Sequence, residues 1–501
     1  MKRNLGIASI LFLLATLVLK VSGLGRDVVL AYYFGDGEAA GAFLAAFTIP
    51  NMLFLFFSIG MKNSFVPSYI EAEQQGQGRH HMNQVFTGTF WISLLITILG
   101  AGTAGVVIPL LYPEFSPETE QIAVITTVIF FISVLFVALN SVLEAYFDSQ
   151  KRFALAVLTQ VIVVAFSVLG PVFFAEELGV YSMAYGYLIG AILSLLVKVF
   201  LLWSRQFPRL KARLDFKEVK DFYIVFVPVA LTVAVGQINL TVDNVFAGYF
   251  GAGTISYINY ARHLVQFPQA MIGMTIGMII FPLLSKAAAD GSQKLFKRGI
   301  EQGMNTMFFI LAPALSGMMF LMPEIVEVLF ERGQFSGEAS EATTYVAYYY
   351  AGSVFFFSLH NVINKGFYSL KKGHLILMIG GVAIVLNAVF NYVFTQWMGY
   401  LGIPLASSVM GGVYVGGSFL LLLKLIGGLN LKFIAVEYGK ILVATGAMVA
   451  GLLLLGPLFS SWAPLLFIVV ISLIGAIIYT VVILALRTHT TTVIIDKFRG
   501  R

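Results

Sequence analysis

The 501-residue chain contains no cysteine, which excludes disulfides, thiolate zinc centres and thiol nucleophiles. Charge is scarce too. Asp, Glu, Lys and Arg supply 11% of the residues, where an ordinary soluble domain carries about a quarter. No G-x-x-x-x-G-K-[ST] phosphate loop occurs, which argues against ATP hydrolysis by this chain. A nucleophile elbow is also lacking, as is any large polar loop with paired catalytic carboxylates, so no enzymatic activity is expected. The adjacent His80 and His81 have no Asp, Glu or Cys pattern around them in the sequence, and no metal is expected there. What remains is apolar: 59% hydrophobic residues with a mean hydropathy of +0.89, the composition of an integral membrane protein.

A bilayer core requires about 20 mostly apolar residues per helix. That criterion predicts an all-α polytopic protein with spans near 5–25, 40–61, 86–112, 122–146, 153–174, 180–203, 222–250, 262–285, 303–322, 343–364, 374–397, 402–423, 441–459 and 464–486, fourteen in total. The first is read as a retained helix rather than a cleaved signal, because its apolar run is long and many spans follow. Residues 28–38 read as a short interfacial piece, and 62–85 and 204–221 as amphipathic connectors at the headgroups.

Of the 31 Lys and Arg residues, all but Lys20, Arg26, Lys198, Arg262 and Arg332 fall in alternate gaps between these spans. The other gaps are acidic or neutral, as with Glu114, Glu118 and Glu120, or Glu324, Glu327 and Glu331. Basic loops are retained in the cytoplasm during insertion, so both termini are expected there. The net charge of +6 resides in those loops and gives no reason to expect a nucleic-acid partner.

The chain also repeats itself. The stretch from Asp27 to Gly37 matches that from Asp243 to Gly253 in register, and Pro50 and Pro67 have counterparts in Pro268 and Pro282. Six spans separate the copies, an even number that preserves orientation. The expected organisation is an N-lobe at 1–203, a cytoplasmic connector at 204–221, a C-lobe at 222–424, and a C-terminal helix pair with its tail at 425–501. Two pseudo-symmetric six-helix lobes suit an alternating-access transporter.

Ionisable groups at membrane depth are costly and commonly face a cavity or a partner. Lys20, Arg26 and Arg262 are the candidates for receiving an anionic, phosphate-bearing substrate, since guanidinium pairs with phosphate oxygens two at a time. The competing reading for each is interfacial snorkelling or a structural pair, such as Arg26 with Asp27. Lys198, near a span end, and Arg332, in an acidic loop, take that second reading. Asp243, Asn387, Asn391 and Ser407 form a second constellation that could bind Na+ or carry a proton, against the alternative of interhelical hydrogen bonding. No other cofactor is expected.

Several of these residues sit in a longer pattern. The run from Lys20 to Asp27 (Lys-Val-Ser-Gly-Leu-Gly-Arg-Asp), then Phe34 to Gly37, Ala42, Phe43, Ala46, Phe47, Ile49, Pro50, Asn51, and Ser64 to Pro67, resembles the N-terminal signature of the MurJ (MviN) family of the MOP exporter superfamily. Tyr260, Ala261 and Arg262, followed by Phe267 and Pro268, resemble its second-lobe signature. The resemblance implies flipping of lipid II, the undecaprenyl-pyrophosphate-linked peptidoglycan precursor, from the inner to the outer leaflet of the bacterial cytoplasmic membrane. It further implies that Lys20, Arg26 and Arg262 line the central cavity, that spans 441–486 help to form a groove for the lipid tail, and that Asp243, Asn387, Asn391 and Ser407 are the natural candidates for a cation site. Membrane lipids and cell-wall synthesis proteins are the implied partners. The sequence departs from the family pattern at Lys20, usually Arg; at Gly41, usually an acid; at Phe54 and Leu55, usually basic; and at Ile59, usually acidic. Fewer cavity cations keep open a flippase for another polyprenyl-linked oligosaccharide. A MATE-like antiporter and a polytopic glycan polymerase are remoter alternatives.

Overall fold

Lipid offers no hydrogen-bonding partner to a peptide group, so apolar runs of this length must satisfy their backbones internally as helices. The computed structural model describes residues 21–202 and 214–492, together with Val18, and among these there is no strand. The helices are α1 (21–34), α2 (Glu38–Gln74), α3 (Gly78–Leu111), α4 (Pro117–Ser149), α5 (Phe153–Leu178), α6 (Tyr181–Leu202) and α7 (Phe216–Gly248). They continue with α8 (Ala252–Ala289), α9 (Gln293–Phe320), α10 (Met322–Phe330), α11 (Gly337–Ser369), α12 (Gly373–Met398), α13 (Gly402–Ile426), α14 (Leu431–Leu455) and α15 (Pro464–Ala485).

Ten of the described helical segments are long and apolar enough to cross a membrane, eleven when the two limbs of α7, bent by 51°, count as one. One of the ten, Gly373–Ile426, is the hairpin of α12 and α13 broken at Gly399–Leu401. Two expected spans remain outside this set. The sequence of α11 is diluted by Glu338, Glu341, His360, Asn364 and Lys365, and the inner part of the first span lies outside the described residues.

Two connecting segments differ from expectation. Residues 28–38 are no separate interfacial piece, because α1 continues unbroken to 34. The expected connector at 62–85 is the extension of α2 to Gln74 and the first turns of α3, since nothing in 62–74 breaks the helix once Pro67 is accommodated. The connector at 204–221 lies mostly outside the described residues, and its end is the capped first turn of α7.

The repeat reappears in local backbone geometry. Left-handed positions recur in pairs: Gly35 (φ 63°) with Gly251 (96°), Gly76 (72°) with Gly291 (66°), Lys151 (61°) with Lys371 (58°), and Gly179 (53°) with Gly399 (59°). Ser116 and Ser336 cap the helices of corresponding rank, α4 and α11, each accepting from the backbone N–H three residues on. Both α2 and α8 carry two internal prolines. Turns that reverse the chain need the same dihedrals in both halves, and these positions kept them.

The chain forms two compact units. The first runs through Ser256 and includes Gly333–Phe335; the second comprises Tyr257–Arg332 and everything from Ser336 onward. In the first unit α4 is central, with α2, α3 and α6 packed against it, while α7 lies along α2. Helices α5 and α6 approach closely because Gly186 and Gly190 face the backbone of α5; a Cβ at Gly186 would lie 2.2 Å from the Phe166 carbonyl oxygen. In the second unit α13 packs on α11 and α12, and α9 joins α11 to the C-terminal pair. Tyr438 of α14 stacks on Phe308 of α9 at 4.0 Å, and the Tyr479 hydroxyl of α15 donates to the Phe309 carbonyl at 2.7 Å.

The first unit encloses one fully desolvated ion pair. Lys198 of α6 is completely buried, and its Nζ donates to Asn140 Oδ1 (2.6 Å), Ser194 Oγ (2.8 Å) and Glu144 Oε1 (3.1 Å). Gln160 of α5 donates to the other Glu144 oxygen, so the network joins α4, α5 and α6. All three ammonium protons are used. Lys198→Met leaves the Glu144 carboxylate buried and unpaired, and should cost about 3–5 kcal/mol of stability. The double variant with Glu144→Gln should recover most of that loss in denaturation of the detergent-solubilised protein.

Candidate functional site

The residues proposed for substrate contact are distributed over the described units and beyond them. Lys20 lies outside the described residues. Arg26 belongs to α1, and its guanidinium grips the carboxylate of Asp27 through Nη2 at 2.7 Å and Nε at 3.1 Å. Asp27 is 2% exposed and Arg26 14%, so the pair is largely withdrawn from solvent. The guanidinium also sits 5.1 Å from the centroid of Phe47. Phe47 in turn meets Phe43, Phe54, Phe130 and Tyr187 at centroid distances of 5.0–6.5 Å. Phe54, standing where the family usually has a base, stacks on Tyr187 at 5.1 Å and is part of this aromatic wall.

The missing acid at Gly41 has a steric explanation. A Cβ there would lie 2.0 Å from the carbonyl oxygen of Ala252, at the first residue of α8. Only glycine permits the N-terminal turn of α2 to approach that backbone, and a longer side chain would force the two apart. Ile59, in contrast, is 39% exposed and meets no such limit.

Arg262, in the second unit, stands in the third turn of α8 rather than opening the helix as expected, because α8 begins at Ala252. Its side chain is 5% exposed. Nη2 donates to Asn259 Oδ1, while Nη1 is buried without a hydrogen-bond partner among the described residues. A buried guanidinium edge of this kind costs free energy until an acceptor meets it. Asn387 and Asn391 lie one turn apart on α12, both 0% exposed, and Ser407 is 7% exposed on α13, which packs against α12. Asp243, 1% exposed on α7, belongs to the first unit. Arg332 is exposed, in keeping with an ordinary loop cation.

Sequence reasoning missed the Glu144–Lys198 network, taking Lys198 as peripheral. The signal was available in two i,i+4 pairs, Asn140 with Glu144 and Ser194 with Lys198, each placing two polar residues on one face of an apolar helix.

The second unit contains an apolar cavity of about 650 Å³ lined by Leu315, Met319, Phe320, Phe355, Phe356 and Val449, from α9, α11 and α14. A smaller one of about 330 Å³ is lined by Glu327, Glu331, Glu341, Thr344 and Tyr345 and shares Tyr348 with the first. Its rim is partly α10, a helix where the sequence suggested only an acidic loop.

A model of the family described as lipid II flippase MurJ matches residues 30–473. The chain belongs to that family. Its members are transporters rather than enzymes, and a Burkholderia cenocepacia lipid II flippase MurJ is 27% identical over 417 residues, 79% of each chain. Among solved structures, a lipid II flippase MurJ in an inward closed conformation superposes with TM-score 0.81 at 24% identity, covering 94% of this chain and 98% of that one. An inward-facing MATE multidrug transporter of the MOP superfamily follows at TM-score 0.70 and 15% identity, covering 82% and 94%. The fold is thus that of the superfamily, and the all-α polytopic architecture expected from composition holds.

Two measurements check this geometry. Gly41→Asp should lower the unfolding temperature, because its side chain has nowhere to go while Ala252 holds its place. Glu324, in α10 outside the spans, has a buried Oε2 without a partner, and burial pushes its carboxyl above the usual range. The folded state therefore holds this proton more tightly than the unfolded chain. The group favours folding below its unfolded pKa and opposes it as pH rises through its folded pKa. Glu324→Gln should raise the unfolding temperature at neutral pH and leave it unchanged near about pH 4.

Proposed function

We propose that this protein flips lipid II, the polyprenyl-pyrophosphate-linked peptidoglycan precursor, across the bacterial cytoplasmic membrane by alternating access of its N-lobe (1–203) and C-lobe (222–424). The observation that carries the reading is the family match over residues 30–473, joined by a buried guanidinium at Arg262 whose Nη1 awaits an acceptor. Pyrophosphate supplies acceptors in the paired geometry that guanidinium prefers. Arg26, and Lys20 at the same end of the chain, would receive the same anion. Arg26 would exchange part of its contact with Asp27 for phosphate, a substitution of one oxyanion for another.

The polyprenyl tail has a fitting surface of its own. The cavity of about 650 Å³ beside Val449 of α14 has a mostly apolar lining, with Leu315, Met319, Phe320, Phe355 and Phe356 among its residues. A C-terminal pair at 425–501 anchored to α9 through Tyr438 and Tyr479 would hold that surface in place. The alternation of basic gaps supports a cytoplasmic location for both termini. Resetting the carrier is assigned to Na+ or H+ at Asp243 with Asn387, Asn391 and Ser407, or to membrane potential, which supplies about 2.3 kcal/mol per unit charge per 100 mV.

The decisive experiment is depletion of the protein in cells, followed by identification of the lipid-linked precursor that accumulates on the inner leaflet. Lipid II is expected; a different polyprenyl-linked saccharide would move the protein to another substrate. In reconstituted vesicles, Arg26→Gln, Arg262→Gln and Lys20→Gln should each abolish translocation while the protein stays folded. Normal translocation by all three would remove the assigned site. Asp243→Asn should abolish dependence on an ion gradient, and an unchanged gradient dependence would remove Asp243 from the coupling site.

A further inference from the structure

His80 and His81 open α3 in a sequence context that offers no metal ligands, but the fold supplies them from 135 or more residues away. His80 Nε2 faces Glu218 Oε2 at 2.9 Å, and His81 Nδ1 faces Glu218 Oε1 at 2.9 Å. Asp215, the N-cap of α7, completes a group in which one ligand atom each from His80, Asp215 and Glu218 lies within 4.8 Å of the others. We propose that His80, Asp215 and Glu218 form a divalent transition-metal site, zinc being the best-suited ion, that clasps the start of α7 to the start of α3.

Three features of the site argue for this. The first is charge. Two carboxylates bring a formal charge of −2, and among the described residues neither has a Lys or Arg partner despite Arg79, Lys217 and Lys220 in the adjoining sequence. A dication neutralises that sum. The second is spacing. The three ligand atoms lie within 4.8 Å of one another, and the His80–Glu218 contact of 2.9 Å is a hydrogen bond that a small rotation of exposed His80 opens to the ligand spacing of about 3.3–3.6 Å at a tetrahedral ion. The third is support. Glu218 is fixed by His81, 7% exposed, whose Nε2 meets Ser68 Oγ at 3.0 Å. Asp215 is fixed because its backbone N–H donates to Gln84 Oε1 at 2.9 Å, and Gln84 is 3% exposed. Its Oδ1 accepts from the N–H groups of Lys217 and Glu218, leaving Oδ2 for an ion. Buried α3 side chains thus hold both carboxylate ligands in place, the arrangement that tunes metal sites generally. His80 is 45% exposed and provides the entry path. One imidazole among the ligands favours zinc over magnesium, which takes oxygen ligands and keeps its waters.

The site is independent of the transport reading and is tested without transport. Full-length protein carrying no histidine tag is purified in detergent, stripped with chelator and titrated with Zn2+ by equilibrium dialysis. One zinc per chain is expected, together with a rise in unfolding temperature that Mg2+ does not reproduce. His80→Ala and Asp215→Asn should each abolish the saturable site. Gln84→Leu, which touches no ligand atom, should weaken it by about 10–100-fold. Absence of stoichiometric zinc binding by the wild-type protein overturns the proposal, as does zinc binding unaltered by His80→Ala.

Discussion

In hydrocarbon a polar group has no water to return to, so a buried donor or acceptor costs free energy unless protein or cargo meets it. That constraint explains why the described residues are helical and why the connections are short. It also explains why buried charges of the first unit such as Arg26 with Asp27 and Lys198 with Glu144 are paired. The ammonium of Lys198 is the clearest case. Its three protons meet an amide oxygen, a hydroxyl and a carboxylate from two helices, and the remaining carboxylate oxygen is met from a third. Such a network gains specificity from the cost of breaking it, because any shift of α4, α5 or α6 strands a charge. Helices α4, α5 and α6 are therefore locked to one another.

Much of this was legible in the sequence, because the signals involved are local. Hydrophobic run length gave the helices. The in-register match of Asp27 to Gly37 with Asp243 to Gly253 revealed a repeat that the paired left-handed positions of Gly35 and Gly251 bear out. The boundaries were not legible. Nothing in the composition of 62–74 distinguishes a helix leaving the membrane from an interfacial connector, and only the unbroken geometry of α2 decides it. Contacts between distant segments were equally hidden. His80 gives no sign of Asp215 or Glu218, and Gly41 does not reveal that Ala252 occupies the space its side chain would need.

The two halves treat the same interior positions differently. Counting from the matched turns at Gly179 and Gly399, the first unit's Asn140, Glu144, Ser194 and Lys198 correspond to His360, Asn364, Tyr414 and Ser418 in the second. There the cluster is neutral. Asn364 Nδ2 lies 3.1 Å from His360 Nδ1, and the imidazole lies against the Tyr414 ring at 4.3 Å, tilted by 43°. The lysine and the glutamate have been exchanged together for uncharged residues, so neither charge is left alone in a low-dielectric interior. Changing one without the other would cost several kcal/mol, whereas changing both costs little.

That rule makes Arg262 the informative exception. Among the described residues of the second unit, Glu437 is answered by Lys440 at 3.0 Å and Glu301 by the backbone N–H of Asn430 at 2.7 Å, whereas Glu324 leaves Oε2 unmet. Arg262 is 5% exposed, and among the described residues it has an amide oxygen for one nitrogen, no carboxylate, and no partner at Nη1. On the proposed reading, that unanswered guanidinium edge is where an anion comes and goes. A carrier has to bear such an imbalance in part of its cycle, because a site fully satisfied by its own protein would have nothing to offer the substrate.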